Sequence, residues 1–319
     1  MEQREGWSLA WRRLRRNHAA MVSAVGLAFL VFACFPGATL WTKYVAHHGP
    51  NAQNIDGYVH EGGKKIPVVA LDGTPIGPGW RGSYLLGADA NGRDLFVRLL
   101  YGGRISLFVG FASAVLCVGV ALILALIAGY RRGAADAVIS RGLDLIWAFP
   151  VYLLAISLST VLLSQTKPIV NPASLWIPTL IIAVVYIPYV YRPVRGQVLS
   201  TREKEYVEAS VSQGASNLRL MFNEILPNVV STVIVLFPLM IATTILTESA
   251  LSFLGIGVQP PHASWGTIIQ DGQDLLYTRP WVSIVPGIMI VLTVLSLNVL
   301  GDGLRDALDP RAKIRATKE

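Results

Sequence analysis

Apolar residues fall in long blocks along this chain, and six of the blocks reach the roughly 20 residues that a helix needs to cross a hydrocarbon layer. They occupy 19–40, 105–130, 143–164, 174–191, 229–250 and 281–300. The second, at about 1.5 Å per residue, extends roughly 39 Å and must tilt or protrude. Between the first and second blocks lies a long polar stretch. Its 43–83 part is rich in Gly, Pro and Asn, with strand-like pieces such as 66–71, and predicts a small irregular or β-containing lobe. The stretch ends in Leu95-Phe96-Val97-Arg98-Leu99-Leu100, the pattern of a short amphipathic helix. Asp89 or Asn91 is placed to cap it, and its apolar face suits a membrane interface. Between the fourth and fifth blocks, 192–228 is far longer than an ordinary bundle connection and has a helical period of its own. Tyr206 to Val211 reads as helix, Gly214 interrupts it, 217–225 resumes, and Pro227 opens the fifth span. Two readings fit this stretch, a rigid knob for a soluble partner and an amphipathic interfacial hairpin.

The predicted fold is therefore an all-α integral membrane protein with six transmembrane helices. It divides into a basic leader and first helix (1–41), an outer loop with its lobe and interfacial helix (42–104), a five-helix core (105–301) containing the 192–228 loop, and a tail (302–319).

Composition agrees with the bilayer. Of the 319 residues 53% are hydrophobic and 15% charged, where a soluble domain carries about 25% charged. Mean hydropathy is +0.50. Disorder, collagen and a soluble enzyme core are excluded. The net charge of +7 is explained by placement: 18 of the 27 Lys and Arg lie before the first span, between the second and third, between the fourth and fifth, or after the sixth. Of the other nine, seven lie in the long outer loop, which translocates largely regardless of charge; without it the contrast is 18 to 2. Both termini are thus expected in the cytoplasm, and the basic surplus reflects topology rather than nucleic acid. The basic flank and apolar run at the start lack a small-x-small cleavage site and read as an uncleaved anchor.

Candidate chemistry is sparse. Cys34 and Cys117 lie in apolar runs without CxxC spacing, and His18, His47, His48, His60 and His262 show no metal-ligand spacing, so no metal site is expected. No GxxxxGK[ST] phosphate loop occurs, and Gly57 to Lys65 has the wrong spacing for one. Nor do paired carboxylates or a Ser/His/Asp set converge, so no catalytic residue is expected. Pro150, Pro178, Pro188, Pro238 and Pro286 are positioned to kink spans, and Gly110, Gly119 and Gly129 to let helices approach; ordinary packing and hinge function both fit. Glu248, an ionisable group near the outer end of the fifth span, either lines an outer gate or sits at the interface.

Four motifs resemble one family. Glu208-Ala209-Ser210, then Gly214, then Leu226-Pro227 is similar to the EAA loop of permease subunits in binding-protein-dependent ABC importers, with Ser210 at the third alanine and Ile225 one place late. The ending Ile225-Leu226-Pro227-Asn228 resembles the oligopeptide/dipeptide/nickel branch. So do Leu86-Gly87-Ala88-Asp89 through Gly92-Arg93-Asp94 to Leu107, the segment from Glu248 through Gln259-Pro260-Pro261 to Trp265-Gly266, and Gly301 to Arg311. The basic leader resembles the amino-terminal module of the C-type permeases, and the resemblance covers nearly the whole chain, least in the 43–83 lobe.

The resemblance implies a type I importer permease in a bacterial or archaeal cell (inner) membrane, with a cytoplasmic coupling helix over 203–223. It implies a second related permease, two cytoplasmic ATPases, an extracytoplasmic substrate-binding protein and membrane lipid as partners, with ATP and Mg on the ATPases and no cofactor on this chain. It places ATPase coupling at Glu205, Glu208, Ala209, Ser210, Gly214, Leu226 and Pro227, and the outer loop, gate or binding-protein contact at Asp89, Gly92, Arg93, Asp94, Glu248, Gln259 and Trp265. Peptides are the expected solute; nickel and glutathione are carried by similar permeases. From another class, a secondary transporter would need inverted repeats and ionisable groups at mid-membrane. A channel or scaffold subunit without energy coupling is the other alternative.

Overall fold

A computed structural model describes residues 11–79, 83–164 and 171–308. The leader's Arg4, Lys167, and the end of the chain with Asp309, Pro310, Arg311, Lys313, Arg315 and Lys318 lie outside the described residues. Five helices are long and apolar enough to span: α1 (His18–Ala46), α2 (Leu95–Arg131), α5 (Trp176–Arg202), α7 (Asn217–Phe253) and α9 (Trp281–Leu308). Between them stand α3 (Gly133–Trp147), α4 (Val151–Leu163), α6 (Glu205–Ser212), α8 (Trp265–Asp271) and a hairpin of β1 (Tyr58–Glu61) and β2 (Lys64–Pro67).

The core is built by α2, α5 and α7, with α4 and α3 against α5 and α2, and α9 against α7. Two of the predicted glycine approaches set these spacings. A Cβ on Gly110 would stand 2.2 Å from Ile245 Cγ1 of α7, and one on Gly129 would stand 2.6 Å from Val198 Cγ1 of α5. Gly119 differs: among the described residues nothing lies within 4 Å of its would-be Cβ, so it sets no close approach between them.

The third predicted span is not one helix. α3 and α4 meet at 87° across Ala148-Phe149-Pro150. Proline lacks the N–H that would continue α3, and it disfavours helical backbone at Phe149. The apolar run also concealed the true start of the element. α3 begins at Gly133 and is amphipathic, and its acids are taken by α5, Asp136 by both Nε and Nη2 of Arg195 and Asp144 by Arg192 at 2.7 Å. α4 alone, at 13 residues, extends only about 20 Å against a core of about 30 Å.

α1 lies along α9 and is held to α2 by Arg104. Pro36 sits in a π turn, Ala33–Gly37, and the Arg104 guanidinium donates to the carbonyls of Cys34 (3.3 Å) and Phe35 (2.7 Å) and to Thr39 Oγ1 (3.0 Å). A charge that sequence reading assigned to a loop thus satisfies backbone groups of a disrupted turn. On the other side of α1, Val22, Val25, Phe29 and Phe32 are exposed, as suits lipid.

The lobe has a modest β content. β1 and β2 pair antiparallel, Tyr58 with Pro67 and Glu61 with Lys64, around a Gly62-Gly63 turn in left-handed backbone. Val68, Ile76, Tyr84 and Ala88 form its small core. The predicted interfacial helix is the first turns of α2 itself, and its cap is Asp94 rather than Asp89 or Asn91. Asp94 Oδ1 accepts the N–H of Phe96 at 2.9 Å and of Val97 at 3.2 Å.

Candidate functional site

The sequence-derived residues gather at opposite ends of the bundle, a knob end and a lobe end. At the knob end, α6 is followed by Gly214 at φ +78°, in open space. The turn is tight, and the Ala215 N–H reaches back to the Ser210 carbonyl at 3.1 Å. Left-handed backbone there favours glycine, and a Cβ adds strain of about 1–2 kcal/mol rather than a clash. Ser216 then caps α7, accepting the Arg219 N–H. α7 begins earlier than the fifth block suggested and runs from the knob through the bundle without a break. Leu226 and Pro227 therefore lie inside it, not at its start. A π turn at Leu220–Ile225, where Leu226 N–H bonds Met221 O, precedes the proline and accommodates its missing donor.

Val207 anchors α6 in the protein, while Glu205, Glu208, Ala209 and Gly214 are exposed and Ser210 is half-buried. Around them Val211 (55%), Leu218 (67%) and Phe222 (54%) are exposed apolar side chains on an otherwise polar knob. Tyr206 is tied to Asn228, and Tyr130 of α2 to Asn217 at 2.7 Å, so the knob is fastened to the bundle. Burial and the nearby Glu224 carboxylate raise the Tyr206 phenol above its ordinary value. Sequence reading did not single out Val211, Leu218 or Phe222. Their signal was present as apolar residues in a stretch otherwise too polar to enter the membrane.

At the lobe end the structure joins most of the remaining candidates into two polar networks. In the first, Asp89 (1% exposed) accepts the N–H groups of Asn91 and Arg93 at 3.0 Å and Arg93 Nε at 2.6 Å. Arg93 and the buried Arg98 both bond Asp271 Oδ2 at the end of α8, at 2.9 and 2.6 Å. Two arginines and two carboxylates thus fasten the lobe and α2 to α8. Asp94 joins the same region, taking the Tyr84 N–H at 2.6 Å with His48 at 3.6 Å. Burial raises its carboxyl above the ordinary range, opposed by backbone donors and His48. Gly92, in left-handed backbone, lies against Asn54, leaving no room for a side chain.

The second network surrounds Glu248, which is fully buried. Its carboxyl accepts the hydroxyls of Ser252 at 2.7 Å and Ser249 at 3.4 Å, with Ser264 and Ser106 close by. Three of these serines also accept a backbone N–H: Ser252 from Val258 (3.0 Å), Ser106 from Trp265 (3.1 Å) and Ser264 from Thr267 (3.3 Å). One relay thus runs from the Val258 N–H through Ser252 to Glu248, and Ser106 and Ser264 beside it hold Trp265 and Thr267. Of the two positions open to it from sequence, neither a gate lining nor an exposed interface site describes a carboxyl enclosed in this way. Trp265 is equally enclosed, its indole N–H on the Leu99 carbonyl at 3.0 Å, in a space left by Gly103. The surface at this end is formed instead by half-buried Gln259 and by Pro260, Pro261 and His262, which are exposed. Sequence reading did not single out Asp271, Arg98 or the serines; Arg98 alone carried a local signal, as a charge within an otherwise apolar helical stretch.

Among the described residues no group of three or more His, Cys, Asp or Glu is placed to hold a metal ion, and Cys34 and Cys117 are free and buried.

Comparison with known proteins fits this architecture. Residues 121–314 match the family described as binding-protein-dependent transport system inner membrane component, and residues 6–62 match the N-terminal TM domain of oligopeptide transport permease C. A putative peptide transport system permease protein of Brucella suis is 41% identical over 96% of this chain and 92% of its own length. An oligopeptide transport system permease protein of Bacillus subtilis is 37% identical, covering 96% and 90%. A glutathione transport system permease protein of Pectobacterium atrosepticum is 36% identical, covering 97% and 93%. With full-length relatives of one kind and a family match over most of the helical core, the chain belongs to the inner-membrane permease components of binding-protein-dependent transport systems.

Proposed function

We propose that the chain forms half of the translocation path of an ATP-driven peptide importer, paired with a second permease, and that its knob couples it to cytoplasmic ATPases. The continuity of α7 carries this reading. One rigid helix joins an exposed knob to the interior of the bundle, so force applied to the knob is delivered to the membrane region. Val211, Leu218 and Phe222 supply apolar contact, Glu205 and Glu208 supply charge, Ala209 and Ser210 keep the surface low, and Gly214 makes the turn. Leu226 and Pro227 set the passage from knob to span.

The distribution of Lys and Arg supports placing the knob and both termini in the cytoplasm. The lobe end then meets the extracytoplasmic binding protein through Gln259 and its exposed neighbours, with the Asp89, Arg93 and Asp94 cluster holding the surface in shape. The named functions of the relatives support a peptide or glutathione as solute, both amide-linked zwitterions or anions.

Gly214→Leu tests the coupling role in the assembled transporter. Insertion and complex recovery are expected to survive, while peptide uptake falls at least tenfold and ATP hydrolysis loses its dependence on loaded binding protein. Normal uptake by this variant rules the role out. Calorimetry of the cognate binding protein against dipeptides, oligopeptides, glutathione and nickel tests the solute.

A further inference from the structure

Residues 11–16 form a short helix of their own ahead of α1. Asn17 ends it in extended backbone, its N–H on the Leu14 carbonyl at 3.0 Å, and then caps α1 through Oδ1, which accepts the Ala20 N–H at 3.1 Å. The short helix is thus a separate piece and not a prolongation of α1. Leu14 is buried with Ala20 against Ala307 of α9, and a Cβ on Gly303 would stand 2.5 Å from Ala20 Cβ and 3.3 Å from Leu14 Cδ1. That contact clamps the piece to the end of α9.

With Leu14 turned inward, the helical period carries Arg12 and Arg16 to the opposite side and puts Trp11 and Arg15 together on one flank. Arg12, Arg15 and Arg16 are exposed, and the Arg15 guanidinium lies 5.6 Å over the exposed Trp11 ring. None of these three arginines pairs with a carboxylate among the described residues. Three cations held side by side without a counter-ion favour an anion, and their position selects its kind. α1 leaves Asn17 with Val22, Val25, Phe29 and Phe32 exposed, the face that meets lipid. From Arg16 to Val22 the helix rises about 9 Å. The headgroup layer is about 5–8 Å deep on each side of the hydrocarbon. Arginines reaching from that level lie among lipid phosphates, and the Trp11 ring suits the same boundary.

We propose that 11–16 is a binding site for anionic phospholipid headgroups. Arg12, Arg15 and Arg16 bond the phosphate oxygens, and Leu14 holds them at a set depth on the α1–α9 pair. The site goes beyond the transport reading and depends on neither the solute nor the ATPases. Each basic residue near an anionic surface contributes about fivefold in lipid affinity.

The test uses the complete transporter in nanodiscs, its partner subunits freed of cysteine and this chain carrying bimane on His18→Cys. His18 is exposed, and the two native cysteines are buried. Quenching by phosphatidylglycerol with a doxyl group on its acyl chain is compared with quenching by the matching phosphatidylcholine at equal mole fraction. A relative association constant of about tenfold or more in favour of phosphatidylglycerol is expected. Arg12→Gln, Arg15→Gln and Arg16→Gln together are expected to bring it within about twofold of unity, with the complex melting like wild type. The three corresponding Lys replacements are expected to keep most of the preference. Equal quenching by the two lipids in the wild type overturns the proposal, and loss of the ATPases from the Gln variant on size exclusion then assigns the arginines to a protein contact. A preference that survives the Gln replacements also overturns it, since the lipid then binds elsewhere. Phosphate and chloride buffers of equal ionic strength are expected to give the same preference; its loss in phosphate alone assigns the site to the free ion instead of the lipid.

Discussion

Glu248→Leu removes the acceptor of two buried serine hydroxyls, Ser252 at 2.7 Å and Ser249 at 3.4 Å, and Ser252 in turn accepts the Val258 N–H. Leucine restores the volume but leaves two buried protons without that acceptor, at about 1 kcal/mol each on the lower side of the usual cost, or about 2 kcal/mol together. That is roughly thirtyfold in the folding equilibrium. Glu248→Gln keeps an acceptor oxygen in place, so a loss of about 1 kcal/mol or less is expected. The assay is stepped heating of the purified complex with the monodisperse fraction read by size exclusion, alongside peptide uptake. Gln is expected to transport normally and Leu to melt early. If Gln abolishes uptake while melting like wild type, the carboxylate has a charge-dependent function and the fastening argument is refuted; if Leu melts like wild type, the serine bonds contribute nothing.

Other outcomes follow from the packing. Gly110→Val drives a side chain into Ile245 and is expected to cost several kcal/mol, read as loss of complex recovery, whereas Gly119→Ala meets open space and is expected to be neutral or stabilising by up to about 1 kcal/mol. Arg104→Met removes the donors at the π turn of α1 and is expected to release that helix, measured as faster proteolysis after Lys43 with the core intact. Asp271→Ala leaves Arg98 buried with only Asp89 beside it, and is expected to lower stability by about 1–3 kcal/mol and to loosen α8, checked by hydrogen exchange over 259–271.

Length and polarity made the spans, the lobe and the knob legible, because a hydrocarbon layer imposes a run of about 20 apolar residues with few exceptions. The same rule did not show that the third span is two helices, α3 and α4, bent by 87°. There α3 pairs its acids with Arg192 and Arg195 of α5, a tertiary pairing invisible to a window along one segment. The knob's turn was legible at Gly214 because left-handed backbone favours one residue type. Its connection to the fifth span was not, since Pro227 is ordinarily a start signal, and only the preceding π turn lets a helix run through it. The lobe-end candidates were found as residues but not as a structure. Arg93 and Trp265 draw their meaning from partners more than 150 residues away, Asp271 and Ser106, and no local pattern brings those together.

The two ends are joined unequally along α7. Above Pro238 the helix is pinned to its neighbours inside the membrane: Thr244 bonds the Gly110 carbonyl of α2 at 2.7 Å, and Thr247 bonds Tyr186 of α5 at 2.8 Å. Below Pro238, from Ser231 to Phe237, every residue is only partly buried and none bonds a neighbouring span. Proline removes one rung of the helix ladder where the two regimes meet. The stretch between the knob and the first hydrogen bonds to a neighbouring span is therefore held by apolar packing, with Phe237 edge-on to Phe111 of α2 at 5.8 Å and Val233 and Leu236 against the core.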